Sequence, residues 1–212
     1  MKALASAILV ATLGFAASAR AQGVTFTFDG GPIHGPLPLD QMAGGITAHF
    51  SATGAGYSIQ PADSLGFTPA DFSGLCIYPS SVFAADLLIA FDRSLTDISM
   101  LYAPQELGCD DSATMKITAS LGANLVGSNT AVAPVPGTWP TGTLSFSSAQ
   151  PFDSVVVHYE SRPPTCQDWG PIFMVDDVVV TPVPEPSRPL ATAGSFSTLA
   201  ALALCRSRRV PA

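Results

Sequence analysis

The middle of the chain is built from short runs in which apolar and polar residues alternate, with turn-forming residues between the runs. In Val24–Phe28 the valine and both phenylalanines share one face of an extended strand, and Met115, Ile117 and Ala119 do the same. Strands of this kind bury one face and leave the other in water, which is typical of antiparallel sheets. No segment of this region shows a helical period over about 12 residues.

Ten runs are predicted as strands, and they fill most of a span of roughly 160 residues. They are Val24–Phe28, Ile46–Ala52, Leu75–Tyr78, Leu87–Phe91, Ile98–Tyr102, Thr114–Ser120, Leu125–Val132, Gly142–Ser147, Ser154–Tyr159 and Phe173–Thr181. So many short strands predict an all-β domain, a two-sheet antiparallel β-sandwich.

The N-terminus has the three parts of a secretory signal peptide. Lys2 gives it a positive start, Ala3–Ala17 is an apolar run, and Ala19-Arg20-Ala21 matches the small-x-small rule for cleavage. We expect residues 1–21 to form a signal helix that is removed, with Gln22 as the first mature residue and the sandwich spanning 22–181. Export would place the sandwich in an oxidising compartment.

The C-terminus combines prolines, an apolar segment and arginines in that order. Prolines at 182, 184 and 186 prevent helix continuation, and the segment 190–204 is apolar but short for a membrane span. A basic cluster, 205–209, then supplies Arg206, Arg208 and Arg209, which would hold this side in the cytoplasm.

Residues 182–212 resemble the PEP-CTERM sorting tail. Pro184, Glu185 and Pro186 match the motif (183–186), and the three arginines match the basic cluster. The resemblance implies a C-terminal hydrophobic helix in the inner membrane. It also implies an exosortase partner, a membrane cysteine protease-transpeptidase found in bacteria that make exopolysaccharide and biofilm matrix.

The order of the strands resembles PEP-CTERM ectodomains with a jelly-roll, galactose-binding-like fold, with matching pieces such as Phe28-Asp29 and the closing run 173–178. This resemblance implies a structural Ca²⁺ where the first and last strands meet, held by Asp29, Asp176 and Asp177. Asp110-Asp111 is a second candidate. The alternative is that these carboxylates point to water.

The cysteines that precede the tail are Cys76, Cys109 and Cys166. Counting strand directions places Cys109 and Cys166 in connections at the same end of the sandwich, and Cys76 nearer the other end. We therefore predict a Cys109–Cys166 disulfide with Cys76 as a buried free thiol. Cys76–Cys109 is the alternative pairing.

Charge excludes one class of partner. Between Gln22 and Pro186 three basic residues face all 16 acidic ones, a formal charge of −13. A domain this acidic repels phosphate backbones, so nucleic-acid binding is not expected.

Catalytic motifs are not found in the sequence, and the histidines His34, His49 and His158 are scattered. A sugar site is better motivated, because aromatic faces beside hydrogen-bonding groups bind sugars. Its candidates are Trp169 with Asp168, and Trp139, all in predicted loops; Tyr57 and Tyr78 lie near predicted strand ends.

The sequence therefore favours a non-catalytic surface or matrix protein that is sorted by an exosortase and associated with extracellular polysaccharide. The first alternative is a carbohydrate-binding module with a Ca²⁺-supported sugar site. The second is a secreted hydrolase.

Overall fold

The computed structural model describes residues 22–64, 66, 68–79, 85–104, 113–133, 140–161 and 173–184. The signal peptide, both tryptophans, Asp110-Asp111, Asp168, Cys109, Cys166 and the tail beyond Pro184 lie outside these residues. So do the two terminal helices that the sequence predicts. In the described part, no helix is long and apolar enough to cross a membrane.

Within the described ranges, ten strands make up the sandwich. They are β1 (Val24–Phe26), β2 (Leu39–Ala43), β3 (Ile46–Ala52), β4 (Tyr57–Pro61), β5 (Leu75–Pro79), β6 (Leu87–Pro104), β7 (Thr114–Leu121), β8 (Asn124–Val132), β9 (Gly142–Ser161) and β10 (Phe173–Pro182). All pair antiparallel, so the predicted two-sheet antiparallel β-sandwich is confirmed.

The two layers are parts of one continuous sheet. The first layer has the order β2-β3-β6-β9-β7-β8 and uses residues 87–91 of β6 and 154–161 of β9. The second has the order β4-β5-β10-β6-β9 and uses residues 95–104 of β6 and 142–147 of β9. β1 also pairs with β10, on the same edge as β5 but closer to the C-terminal end of β10.

β6 and β9 each pass through both layers. The sequence analysis predicted two separate short strands in place of β6 and two in place of β9. Their pairing shifts register between Ala90 and Asp97, where both strands turn from one layer into the other. Asp92-Arg93-Ser94 looks like a turn in the sequence, but it is the corner of one bent strand. β2 and β4 were not predicted.

The core lies between the layers, and aromatic rings from both layers meet in it. Phe50 of the first layer meets Phe26 and Phe28 of the second edge-on, with ring centroids 6.2 and 5.2 Å apart. All three side chains are essentially inaccessible to solvent. Edge-to-face packing of this kind adds to the free energy gained by burying the ring area.

The two ends of the sandwich are distinct. At the end that we call the chain end, β1 begins beside the end of β10, with Val24 opposite Val180. Val183 N–H donates to Ser94 O (2.9 Å), so the corner of β6 holds the departing chain. The opposite, distal end is formed by strand termini: Ala52, Tyr57, Pro79, Leu87, Pro104, Thr114, Val132, Gly142, Ser161 and Phe173.

Contacts between the layers show that both reach the same distal end. Tyr57 of β4 packs on Phe173 of β10 and donates a hydrogen bond to Ala85 O (3.1 Å), just before β6 of the first layer. Asp86 N–H donates to Thr53 Oγ1 (2.9 Å) beside it. The strands therefore run between a chain end and a distal end that the two layers share.

Phe50→Ala tests the packing between layers. Removing this buried ring should lower the free energy of unfolding by about 3–5 kcal/mol, because a cavity replaces contacts from both layers. Urea unfolding measures the loss. The matched control is Met42→Ala, at a side chain 75% exposed, which should change stability by no more than about 0.5 kcal/mol. Equal losses in the two variants would contradict the assignment of Phe50 to the core.

Candidate functional site

The distal end gathers the borders of the segments that carry the sequence-predicted binding and disulfide residues. Segment 105–112, which contains Cys109, runs from Pro104 to Ala113; segment 162–172, which contains Cys166, runs from Ser161 to Phe173. Pro104 pairs with Phe173, and Thr114 pairs with Ser161. Both borders of one segment thus adjoin the borders of the other. The Cys109–Cys166 disulfide itself lies outside the described residues and stays a prediction.

The distal end also holds the borders of both tryptophan-bearing segments. Trp139 belongs to the segment between Ala133 and Pro140, and Trp169 to the segment before Phe173. Gly142 pairs with Tyr102, and Phe173 pairs with Pro104, so borders of the two segments adjoin the same stretch of β6. The positions of Trp139, Trp169 and Asp168 lie outside the described residues.

The tyrosines suggested for sugar stacking are unsuitable. Tyr57 is 5% exposed and Tyr78 is 8% exposed, so neither offers a face to a ligand. Tyr57 belongs to the main core, and Tyr78 to a smaller cluster on the outer side of the second layer with Cys76, Phe72 and Met174. A position at a strand end did not distinguish these buried rings from accessible ones.

Three acidic residues meet where the neighbour of β10 changes from β1 to β5. The pairing of β10 shifts register between Asp176 and Val179, and Asp177 takes a positive φ of 45°. Asp29 follows β1 in sequence, and Gly74 precedes β5. Asp29, Asp176 and Asp177, predicted to lie together, are thus brought to one acidic junction.

The carboxylates of Asp29 and Asp176 at this acidic junction accept hydrogen bonds from backbone N–H groups near the start of β5 and within β10. Asp29 Oδ1 accepts from Leu75 N (2.8 Å), and Asp176 Oδ2 accepts a longer bond from Ser73 N (3.4 Å). Asp176 Oδ1 accepts from Asp177 N (2.8 Å). A hydrogen bond to a charged acceptor is stronger than a neutral one, so these contacts hold residues 73–75 against the sheet.

Gly74 is required for this approach. Its φ is +58°, and a Cβ built there would lie 1.9 Å from Asp29 Oδ1. The sequence analysis missed Ser73, Gly74 and Leu75, since two of them contribute only backbone groups. A glycine beside a predicted strand was the one available indication.

Asp176 is the most perturbed acid of the described chain. Burial raises its pKa to about 7, the hydrogen bond from Asp177 N–H opposes the rise, and the charges of Asp177 and Asp29 add to it. Burial, aided by the charge of Asp176, raises the pKa of the Cys76 thiol to about 12. Cys76 is a buried free thiol, as the sequence analysis expected, and at neutral pH it is protonated and unreactive.

The calcium site implied at the acidic junction finds limited support in the geometry. Asp29 and Asp176 already use oxygens on backbone N–H groups. Among the described residues, no group of three or more acidic, histidine or cysteine side chains is arranged to hold a metal ion. Calcium binding stays a prediction.

Two histidines form partly exposed pairs with aspartates. His49 Nδ1 lies 2.7 Å from Asp40 Oδ1, and His158 Nδ1 lies 2.6 Å from Asp86 Oδ1. A hydrolytic triad also needs a nucleophile bonded to the ring. No serine, threonine or cysteine in the described ranges bonds to either ring, so neither pair is seen to extend to a triad.

The chain end holds the borders of both terminal segments. Gln22, Gly23, Val24 and Pro182 line a shallow cleft there, together with Gly44 from the turn between β2 and β3. Pro184 is exposed directly after Val183. The rest of the sorting motif, Glu185 and Pro186, and the arginines Arg206, Arg208 and Arg209 lie outside the described residues.

Asp176→Asn tests the buried carboxyl. Because the folded-state pKa is raised from 3.8 to about 7, the folded protein keeps this proton from about pH 4 to pH 7 while the unfolded chain loses it. The stabilising contribution is therefore complete below about pH 4 and lost as the pH rises through about 7. The free energy of unfolding should fall with pH by at most about 1.4 kcal/mol per unit from this group.

The free energy of unfolding of Asp176→Asn should lack that decline. Measured by urea unfolding, the difference in stability between this variant and the wild type should therefore shift in favour of the variant from pH 5 to pH 8. Asp63→Asn, at an exposed acid in the turn after β4, is the control and should leave the decline intact. A pH profile identical in the wild type and Asp176→Asn would contradict the assignment.

No family model and no curated protein matches the chain. Solved structures with a similar arrangement of strands include the K2 cleaved adhesin domain of Lys-gingipain, at 15% identity and a TM-score of 0.45, covering 76% of this chain and 99% of that one. The K1 domain from Porphyromonas gingivalis W83 has the same identity and coverage with a TM-score of 0.44. A family 29 carbohydrate-binding module complexed with mannohexaose has 13% identity and a TM-score of 0.39, covering 77% of this chain and 93% of that one.

Proposed function

We propose that this chain is an exported, non-catalytic surface or matrix protein, tethered at its chain end by a sorting tail that an exosortase-like enzyme removes. The observation that carries the proposal is the pairing of the first strand with the last. Val24 lies opposite Val180, so the chain enters and leaves the sandwich at one end.

This geometry suits a domain whose two flanking segments are both apolar. The predicted signal peptide ends at Ala21, just before β1, and the predicted tail starts just after β10. With both borders at the chain end, the two segments can approach the same bilayer while the sandwich stays folded. The distal end, which holds the borders of the tryptophan-bearing segments, then faces away from the membrane.

The border between sandwich and tail is sharp. β10 pairs with β6 as far as Pro182, and Val183 is hydrogen-bonded to Ser94 O. The Pro-Glu-Pro part of the motif begins at the next residue, the exposed Pro184. Proline disfavours both helix and continued sheet pairing, so the motif is suited to present an extended backbone to a processing enzyme.

The charge of the mature region argues against a role on nucleic acids and suits a soluble extracellular domain. Two basic residues, Arg93 and Lys116, stand among the acids of the described sandwich. Lys116 Nζ lies 3.3 Å from Glu160 Oε2, so part of this small positive charge is already neutralised. A net negative surface keeps a secreted domain soluble.

Replacing Pro184, Glu185 and Pro186 with alanine tests the sorting tail. The variant should keep Arg206–Arg209, because the processing enzyme no longer reads the motif, whereas the wild type should lose them. Mass spectrometry of protein recovered from exporting cells gives the answer.

The matched control replaces Ser187, Arg188 and Pro189, the next three residues, with alanine and should be processed like the wild type. If the wild type recovered from the cell surface still carries Arg206–Arg209, the proposed cleavage is wrong. If the motif variant is processed normally, Pro184-Glu185-Pro186 is not the recognition element.

A carbohydrate-binding module is the second candidate, and the distal end favours it. The borders of both tryptophan-bearing segments adjoin the last residues of β6. Connections carried by a rigid sandwich are frequent places for ligand contacts, and tryptophan faces stack well on sugars.

Trp169→Ala separates this candidate from a purely structural role. On a glycan array with and without Ca²⁺, a module should bind specific glycans and lose at least about tenfold in affinity on truncation of a central aromatic anchor. Leu125→Ala, at a side chain 70% exposed near the chain end, is the control. Absence of binding by the wild type to every glycan would support the structural role instead.

A further inference from the structure

Gln22 becomes the first residue of the mature chain when the predicted signal peptide is cut after Ala19-Arg20-Ala21. It is exposed and lies outside the strand ladder, because β1 begins at Val24, which pairs with Val180. Its side-chain amide makes no hydrogen bond within the described ranges. Rotation about the bonds of residue 22 therefore disturbs no strand pairing.

A glutamine at the N-terminus of a chain carries a nucleophile and an electrophile in one residue. Attack of its α-amine on its side-chain carbonyl carbon, Cδ, closes a five-membered ring, and an attack within one molecule is much faster than the same reaction between two. An α-amino group titrates near neutral pH, so a share of it is unprotonated and nucleophilic. Before the cut the same nitrogen belongs to a peptide bond, where resonance withdraws its lone pair.

The space around the first two mature residues permits this ring closure in the folded protein. Gly23 is exposed beside the end of β10, and even a Cβ built there would come no closer than 3.8 Å to the Val179 side chain. The closure moves atoms of residue 22 and leaves the pair of Val24 and Val180 in place. The reaction thus needs no unfolding of β1.

The shallow cleft at the chain end favours a neutral N-terminus. Gln22 lines this cleft with Gly23, Val24, Gly44 and Pro182 among others, and no acidic residue belongs to the lining. An ammonium group would gain no ion pair from these residues. A lactam carries no charge, so only its hydrogen bonds have to be satisfied beside the cleft.

We propose that Gln22 is a modification site, at which cleavage of the signal peptide is followed by cyclisation to pyroglutamate. The α-nitrogen forms a bond to Cδ, the bond between Cδ and Nε2 breaks, and Nε2 leaves as ammonia with the proton that the α-nitrogen gives up. The reaction needs no oxidant, reductant or cofactor. The proposal rests on the export and cleavage that belong to the proposed function, and not on the sorting tail.

Cyclisation changes what the N-terminus of the exported protein offers to its surroundings. It removes the terminal positive charge and the free amine on which aminopeptidases act. Residues 22 and 23 are the only mature residues before β1. A blocked terminus therefore protects the strand whose pairing with β10 closes the chain end.

Mass spectrometry of protein recovered from exporting cells tests the modification. The wild-type N-terminal peptide should begin at residue 22, be lighter than its unmodified sequence by one molecule of ammonia, and resist amine-reactive labels. Gln22→Ser is the matched control, because it keeps Ala19-Arg20-Ala21 and a polar first residue but has no side-chain amide. Its N-terminal peptide should have the unmodified mass and accept the label.

The other outcomes separate this proposal from the proposed function. A wild-type peptide that begins at Gln22 and accepts the label overturns the modification and leaves export intact. Loss of ammonia with the amine still reactive also overturns it, since another amide was then lost. A mature chain that begins at a different residue overturns the modification together with the cleavage site, and one that keeps Met1 contradicts the proposed function as well.

Discussion

The structure depends on the pairing of β10 along both of its edges. One edge pairs with β6 over most of its length, and the other pairs with β1 near the chain end and with β5 nearer the distal end. The last strand of the domain, β10, therefore pairs with the first strand, β1, with the middle strand β5 and with the long bent strand β6. Without β10 the second layer would have no centre, and the entry and exit of the chain would not be held together.

This arrangement buries a carboxyl group close to two other acids at the acidic junction, which is electrostatically unfavourable. Where β10 changes neighbours, the sheet leaves backbone N–H groups at the start of β5 without a strand partner. Asp29 and Asp176 accept them. Asp176 is 2% exposed and lies near two other acids, so its charged form is disfavoured and its pKa rises to about 7. We infer that these carboxylates serve the sheet first, since their hydrogen bonds complete it.

The sequence predicted the parts of the fold that follow from local pattern. Alternation in Val24–Phe28 and in Met115–Ala119 places the correct side chains in the core. β2 was missed although Leu39–Ala43 alternates and is followed by Gly44-Gly45, a typical hairpin turn. The corners of β6 and β9 could not be predicted, because a polar run such as Asp92-Arg93-Ser94 looks the same in a turn and in a bent strand.

The candidate site was predictable only where it depends on chain order. The counting of strand directions placed the borders of the Cys109 and Cys166 segments at one end, which the pairs Pro104–Phe173 and Thr114–Ser161 support. The roles of Asp29 and Asp176 were not predictable, because their partners are backbone groups of residues distant in sequence. Tyr57 and Tyr78 show the same limit, since burial is set by what packs over a strand.

The central claim is that the sandwich has its two chain borders at one end and the borders of its cysteine- and tryptophan-bearing segments at the other. Distances between labels test this claim most directly. Labels at positions 23 and 183 should lie within about 10 Å, two strand spacings. Labels at positions 54 and 183 should lie about 33 Å apart, the length of a ten-residue strand. Similar distances for the two pairs, or a longer one for 23 and 183, would contradict the account.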